Sequence, residues 1–483
     1  MQQENVNYQT PVLWDWKYAV LKKVVNVSFL IFHRQSCVTG RENIPAGGRL
    51  IFAANHQNGL IDPLAVIMTT KYQPVYLARA DIFKNPFFSV ILRFLRIMPV
   101  YRLRDGVESM GKNEETFDKT ASHLSGGGCI GIMPEGNHHN KKRLRELKKG
   151  IFRIAFRAAE IGNTMQDIKI VPVGLNYRNT SGLFGELVVN YGKPLSVAGY
   201  RKSYQMHPQS GINKMKKDLA ASLSSLMLDV KDEKNYHEDK LIINMGSRIL
   251  LKKVTGDTGN ANRKFLAERS VCQSIYDYYE KDPSGAGRLR AKCTRLLELL
   301  DSCGLSPENA KKAGKGRILF LKLIQILSFP VFMAGFILHF FPVLTIHLVL
   351  KKLKDPQFIS SFKFVMGTLL IPLNYLGLGL GAFLCLPPLY AILIMVLTPV
   401  TGILGYFAYK FSQRISEIIR FNNLCRADRE FESEFTILKS SLNDDFEPLL
   451  SVAGERFEQE IRSIAPREVC RKILFGSWSI LFK

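Results

Sequence analysis

Short-spaced cysteine pairs are missing from this 483-residue chain, and most zinc and disulfide chemistry goes with them. The eight cysteines, Cys37, Cys129, Cys272, Cys293, Cys303, Cys385, Cys425 and Cys470, are scattered. Their spacing predicts neither a metal site nor a disulfide framework, and a reducing compartment for most of the chain. No Gly-x-Ser-x-Gly stretch occurs, which removes the nucleophile-elbow route to a reactive serine. The opening MQQENVNYQTPVLWDW lacks the basic-then-apolar profile of a secretory signal. Acidic residues are scarce too: 42 Asp and Glu face 66 Lys and Arg, a formal net charge of +24. Such an excess suits a polyanion, whether nucleic acid, an anionic membrane surface or a phosphorylated substrate.

What the chain has in quantity is apolar sequence between residues 317 and 410. A membrane-spanning helix needs about 20 largely apolar residues. Phe364 to Leu386 and Leu389 to Tyr409 each qualify, with Pro387-Pro388 as the turn between them. A soluble core hairpin would seldom be this long and this free of charge on every face. The preceding run, Ile318 to Leu350, has 33 residues interrupted by Pro330 and Pro342. One crossing would strand Lys351, Lys352, Lys354 and Lys363 on the far side, against the positive-inside tendency, so a bent or re-entrant segment is expected.

The first 230 residues alternate in type. Apolar runs rich in strand formers cover 50–54, 74–78, 97–103, 129–133, 168–176 and 187–191, with helix-like stretches at 63–70, 88–96, 114–124, 151–161 and 212–228. Strand-helix alternation predicts an α/β fold with a central, largely parallel sheet flanked by helices. A helical region and a C-terminal membrane-embedded helical hairpin should follow it. The expected segments are 1–48, an amphipathic membrane-surface stretch; 49–230, the α/β domain; 231–316, a charged helical region and linker; 317–410, the membrane region; and 411–483, a charged helical tail. For residues 1–48 a helix packed on the core is the competing reading.

The stretch AANHQNGLIDPLA, residues 53–65, leaves a predicted strand carrying His56 and Asp62. On one continuous helix, six positions turn about 240°, so the pair would not share a face. Asp62-Pro63 instead reads as the N-cap and first residue of a helix, with His56 on the loop before it. That loop can fold the imidazole onto the carboxylate, the arrangement of a base held in one tautomer by an acid. In parallel sheets chemistry gathers beyond the carboxyl ends of the strands. Arg102 and Arg104 end one predicted strand, and Met133-Pro134-Glu135-Gly136 ends another, followed by the basic residues Lys141, Lys142, Arg143, Arg145, Lys148 and Lys149. The basic run reads equally as a solvated or membrane-facing surface.

Taken together, the stretch around His56, RIMPVYRLRDG, MPEGNHHNKKRLRELKKG and IKIVPVGLNY resemble the four motif blocks of the glycerolipid acyltransferases. The resemblance covers roughly residues 45–200 and implies a glycerol-3-phosphate or 1-acyl-glycerol-3-phosphate O-acyltransferase of phospholipid synthesis. It implies that His56 is the catalytic histidine and Asp62 its partner. Arg102, with Arg104 as the alternative, would bind the acceptor's phosphate. Glu135 and Gly136 would belong to an acceptor-binding block, Lys149 and Gly150 to a basic-Gly step, and Pro172 to the fourth block. Two departures stand out: five residues separate His56 from Asp62 where the family has four, and Asn137-His138 replaces Thr-Arg. Lys141, Arg143 or Lys149 could supply the missing cation.

The implied partners are an acyl thioester (acyl-CoA or acyl-carrier protein), a glycerol-phosphate acceptor and an anionic bilayer, with no nucleic acid, metal or cofactor. A histidine near its usual pKa of about 6.5 suits deprotonation of an alcohol attacking a thioester. The catalytic domain is expected on the cytoplasmic face of a membrane anchored through 317–410. The alternatives are acylation of a lyso-aminolipid, or a non-catalytic membrane-surface protein with a degenerate fold.

Overall fold

The computed structural model describes residues 16–83, 86–100, 108–161, 167–180, 182–256, 260–353, 355, 358–464 and 469–472. The chain divides into two compact units. The first comprises Met1–Glu233, Leu251–Arg269 and Phe457–Lys483; the second comprises Lys234–Leu250 and Ser270–Arg456.

The first unit is built on a nine-stranded sheet. Its strands are β1 (His33–Thr39), β2 (Leu50–Ala54), β3 (Val75–Arg79), β4 (Ile97–Val100), β5 (Cys129–Ile132), β6 (Lys169–Tyr177), β7 (Gly185–Tyr191), β8 (Leu195–Ser196) and β9 (Val469–Lys472). The helices of this part are α1 (Trp16–Phe32), α2 (Ile61–Thr69), α3 (Pro86–Phe94), α4 (Glu108–Ser125), α5 (Gly150–Ile161), α6 (Arg201–Met206) and α7 (Pro208–Leu226). Strand order is β4-β3-β5-β2-β6-β7-β1-β9, with β8 beside β6. β2 runs parallel to β5 and β6, β3 to β4 and β5, and β1 to β7. β7 and β8 run antiparallel to β6, and β9 to β1. The expected α/β architecture with a largely parallel sheet is the one adopted.

Alternation along β2 sorts its side chains between two layers. Ile51 and Ala53 join Val75, Ile130, Phe152, Phe156, Leu219 and Leu223 in one buried cluster, which places α5 and α7 over that face. Phe52 points the other way and meets the rings of Tyr72 and Tyr191. Each fully buried side chain of this size contributes about 1.5–3 kcal/mol relative to exposure. The sheet thus holds the C-terminal ends of β2 and β5 side by side, next to the middle of β6.

Three strands fall where none was expected, the two-residue β8 among them. β1 lies in the stretch read as a membrane-surface segment, and β9 in the tail read as helical. Both pair only with strands far away in sequence, so neither leaves a local turn signal. Cys37 on β1 is disulfide-bonded, where the cysteine spacing had predicted no disulfide framework. α1 has one buried and one exposed side. Tyr18, Phe29 and Phe32 are buried, while Trp16, Val20, Val24, Val27 and Ile31 form an exposed stripe at helical spacing.

The second unit is helical. The chain continues through α8 (Tyr236–Thr255), α9 (Ala261–Lys281), α10 (Pro283–Asp301), α11 (Lys315–Leu338), α12 (Phe340–Lys351), α13 (Ile359–Cys385), α14 (Pro388–Ala427) and α15 (Arg429–Ile464). By length and composition α11, α13 and α14 could each cross a membrane. The apolar run that precedes α13 is divided into two helices, but not at its prolines. Pro330 lies inside α11, Pro342 in the first turn of α12, and the break is at His339. A proline in a first turn removes an N–H that has no helical partner anyway. The backbone groups exposed by the break are satisfied locally. Asn374 Nδ2 donates to the Leu338 carbonyl at 2.9 Å, and His339 Nδ1 lies 2.9 Å from the Gly335 carbonyl. At 12 residues α12 is too short to cross alone. α11 and α14 touch backbone to backbone: a Cβ at Gly335 would sit 2.5 Å from the Thr401 carbonyl oxygen and 3.0 Å from Gly405 Cα.

Candidate active site

Where β2 ends, Asn55 continues the strand with its side chain. Its Nδ2 donates to the Leu175 carbonyl at 3.0 Å, and its Oδ1 accepts from the Leu175 N–H at 2.6 Å. This fully buried amide fixes where the chain leaves the sheet. The next residue is His56. A turn through Gly59, at φ 31°, leads into α2.

Asp62 does not cap that helix. α2 begins at Ile61 with Leu60 as N-cap and no side-chain cap, and Asp62 lies inside the first turn. Its carboxylate points back at the loop instead, because stronger partners wait there. Oδ2 lies 2.8 Å from His56 Nδ1 and accepts the backbone N–H groups of Gln57 and Asn58 at 2.8 and 2.7 Å. Oδ1 accepts the Tyr177 hydroxyl at 2.7 Å. The Asp62 side chain is 0% exposed, and four partners offset its desolvation, as a buried carboxylate requires. The fifth intervening residue therefore does not part the pair, since the loop closes on the acid. With an acceptor at Nδ1, the neutral imidazole carries its proton there and presents Nε2 as the acceptor nitrogen. The His56 side chain keeps 16% exposure.

The turn after β5 is tied to this loop from the other side. Glu135 Oε1 accepts the His56 backbone N–H at 2.9 Å, and Oε2 accepts the Arg145 N–H at 3.3 Å. The His139 N–H donates to the His56 carbonyl at 3.2 Å. Burial pushes the Glu135 carboxyl up to about 7; the two amide donors and His56 pull the other way, and Asp62 adds to the rise. Gly136 takes a φ of 73°, which favours glycine, and the turn closes through its N–H to the Met133 carbonyl at 3.0 Å. The His138 ring stands 5.2 Å from the His56 ring, centre to centre, edge to face. Burial lowers the pKa of His139, whose Nδ1 accepts the Lys141 N–H at 2.8 Å.

The basic segment is not a free row of cations. Arg143 pairs with Glu233, Lys141 lies 3.8 Å from the same carboxylate, and Lys142 lies 3.2 Å from Glu268. Lys149 is exposed, immediately before α5, and Gly150 opens that helix. Arg102 and Arg104 lie outside the described residues. Pro172 is on β6, in register with Ala53 on β2. The structure thus brings together His56, Asp62, Glu135 and Gly136, and adds Asn55, Tyr177 and His138. Tyr177 stands 115 residues from Asp62 in sequence, and no local pattern announces it. Among the described residues no cluster of His, Cys, Asp and Glu could hold a metal ion.

Residues 35–176 match the family model described as Acyltransferase, the span that runs from β1 through this site to the last residue before Tyr177. The chain carries an acyltransferase domain. The chain is 26% identical over 291 residues to glycerol-3-phosphate O-acyltransferase 2 of Saccharomyces cerevisiae, a match covering 54% of this chain and 37% of the yeast protein. It is 24% identical over 212 residues to the 1-acyl-sn-glycerol-3-phosphate acyltransferase of Borreliella burgdorferi, covering 44% of this chain and 76% of that one. The chain therefore spans little more than a third of its yeast relative's length. The crystal structure of the 1-acyl-sn-glycerophosphate acyltransferase of Thermotoga maritima covers 44% of this chain and 84% of its own at 18% identity, with a TM-score of 0.31. Within the acyltransferase domain, the His56–Asp62 pair sits at the C-terminal end of β2, where a parallel sheet places its chemistry.

Proposed function

We propose that the acyltransferase domain moves a fatty acyl group from an acyl thioester to a hydroxyl of glycerol 3-phosphate or lysophosphatidate. The carrying observation is the 2.8 Å contact between His56 Nδ1 and a fully buried Asp62. The acceptor's hydroxyl oxygen attacks the thioester carbonyl while His56 Nε2 removes its proton. Asp62 stabilises the imidazolium that forms. The tetrahedral intermediate then expels the thiolate, which takes the proton back from Nε2. The acyl carbon has exchanged a C–S bond for a C–O bond, and His56 is neutral again. The step uses no cofactor; acyl-CoA or acyl-carrier protein enters as co-substrate.

In this reading Glu135 is a positioning residue, because both its oxygens hold backbone amides of the two loops. Gly136 permits the turn. Arg102 or Arg104, with Lys149, grips the acceptor's phosphate by charge-assisted hydrogen bonds. The apolar helices α11, α13 and α14 hold the protein in a membrane, with the catalytic domain on the cytoplasmic face. The net positive charge and the exposed α1 stripe favour an anionic bilayer over nucleic acid.

The test is product analysis with the full chain in lipid nanodiscs, offering both thioester donors and glycerol 3-phosphate, lysophosphatidate or a lyso-aminolipid as acceptor. Phosphatidate or lysophosphatidate should form, and His56→Ala should lower turnover by at least about 10³-fold at unchanged folding. Full turnover in that variant refutes the base. Absence of turnover with every acceptor favours the non-catalytic membrane-binding reading.

A further inference from the structure

In the helical unit, α11 and α14 run antiparallel. Gln325 Nε2 donates to Ser412 Oγ at 2.7 Å and to Ser416 Oγ at 3.2 Å, Phe332 stacks on Tyr409, and Gly335 meets Gly405. Beside Gln325, on the side away from the Phe332–Tyr409 stack, lies an open groove of about 560 Å³. It is lined by Gln325 of α11 and by Ser416, Ile419, Arg420, Asn423 and Leu424 of α14. Residues 416, 420 and 423 share one face of α14, at spacings of four and three.

The two walls differ in kind. Along this stretch α11 stays apolar and exposed, through Leu319, Leu323, Ile326 and Leu327. α14 has already turned polar, with Lys410, Ser412, Gln413 and Arg414 leading into the groove. One wall suits hydrocarbon and the other suits a charged head, which is the profile of a lipid at the edge of a bilayer.

Arg420 supplies the charge. Other cations at this end of the unit have partners: Arg414 donates to Asn309 Oδ1 at 3.0 Å, and Lys312 lies 2.9 Å from Glu432. Glu417, three positions before Arg420, has its Oε2 engaged by Ser306 Oγ at 2.6 Å and Asn309 Nδ2 at 3.0 Å. Among the described residues no carboxylate forms an ion pair with Arg420. Gly304 leaves its guanidinium room, since a Cβ there would come within 3.6 Å of Nη1.

We propose that this groove binds the phosphate of an anionic phospholipid of the surrounding leaflet. Arg420 holds the phosphate by charge-assisted hydrogen bonds, Ser416 and Asn423 add neutral donors, and an acyl chain lies along the exposed side of α11. Among the described residues that line the groove none is acidic. A phosphate is therefore matched, while the cation of a choline headgroup is not. The assignment rests on α11 and α14 lying in a membrane and stands apart from acyl transfer.

The test is native mass spectrometry of the full chain in detergent with an equimolar mixture of dioleoyl phosphatidylglycerol and dioleoyl phosphatidylcholine. Phosphatidylglycerol is neither acceptor nor product of the reaction proposed above, so the readout is independent of turnover. The wild type should retain it over phosphatidylcholine by about tenfold, as one charged hydrogen-bonded contact warrants. Arg420→Gln should remove most of that preference, and Arg420→Lys should keep part of it. Asn423→Leu should weaken retention without a change of charge, and it carries the test if Arg420→Gln yields no folded protein. Arg426→Gln removes an exposed cation about 240° further round the helix and should leave the preference intact. Excess inorganic phosphate should not displace the lipid. An unchanged preference in Arg420→Gln, with its unfolding temperature intact, overturns the proposal. So does an equal loss in Arg426→Gln, the mark of diffuse surface charge, or displacement by inorganic phosphate, the mark of a free-anion site.

Discussion

Glu135→Gln separates the charge of the buried brace from its shape. Glu135 is 3% exposed, and burial raises its carboxyl from an ordinary 4.5 to about 7. An acid whose folded pKa is raised binds more protons when folded than when unfolded between those two values. Stability therefore falls as pH climbs from about 4.5 through 7, and the loss is complete above it. The span corresponds to about 3 kcal/mol at 1.36 kcal/mol per pH unit. Glutamine keeps the shape and one acceptor but turns an NH₂ towards one of the two amides, at a cost of about 1–3 kcal/mol. At pH 5 the variant should thus be the less stable protein, and by pH 8 the difference should shrink or reverse. The assay is thermal or urea unfolding of the full chain in detergent from pH 5 to 8.5, compared pairwise so that other titrating groups cancel. If the stability difference between variant and wild type stays flat across that range, Glu135 does not titrate in the folded protein. The account of the brace is then wrong.

Tyr177→Phe removes one of four hydrogen bonds to a buried carboxylate, which should cost about 1.5–3 kcal/mol of stability in a denaturant titration. Turnover should fall about tenfold with acceptor KM little changed, since the hydroxyl acts only through Asp62. Asp62→Asn presents an amide to several donors and cannot stabilise an imidazolium, so kcat should drop on the order of 10³-fold or more; a drop of less than tenfold refutes Asp62 as the partner. Gly335→Leu inserts a side chain where α11 and α14 backbones meet, and overpacking of more than about 3 kcal/mol should show as lost folded yield in detergent.

How much of this was legible follows from the range of each signal. β2 was read residue for residue, because five apolar residues ending in a polar loop form a self-contained pattern. The start of α2 was misplaced, since Asp-Pro at a helix entry is a sound capping statistic that here lost to three loop partners. β1 and β9 were missed because strand pairing across the whole chain carries no local mark. The prolines 330 and 342 were the visible interruptions of the run, yet the break is at His339, where His339 and Asn374 satisfy freed carbonyls.

The site shows the same division more sharply. His56, Asp62 and Glu135 could be named from sequence because each follows a strand in a turn with its own signature. The His56–Asp62 contact is local and was expected; what could not be named are the long-range bonds that join the pair to the rest of the site. Asn55 reaches β6, Tyr177 reaches α2, and Glu135 reaches the amide of His56. His56 is therefore held twice, through its ring by Asp62 and through its backbone by Glu135. Those two holds differ in kind. Asp62 fixes a tautomer, and its loss should strike the chemical step; Glu135 fixes a loop, and its loss should strike stability and its pH dependence first. A variant pair that failed to separate in this way would mean the two carboxylates work as one unit, with a double-mutant coupling well above the few tenths of a kcal/mol expected of independent sites.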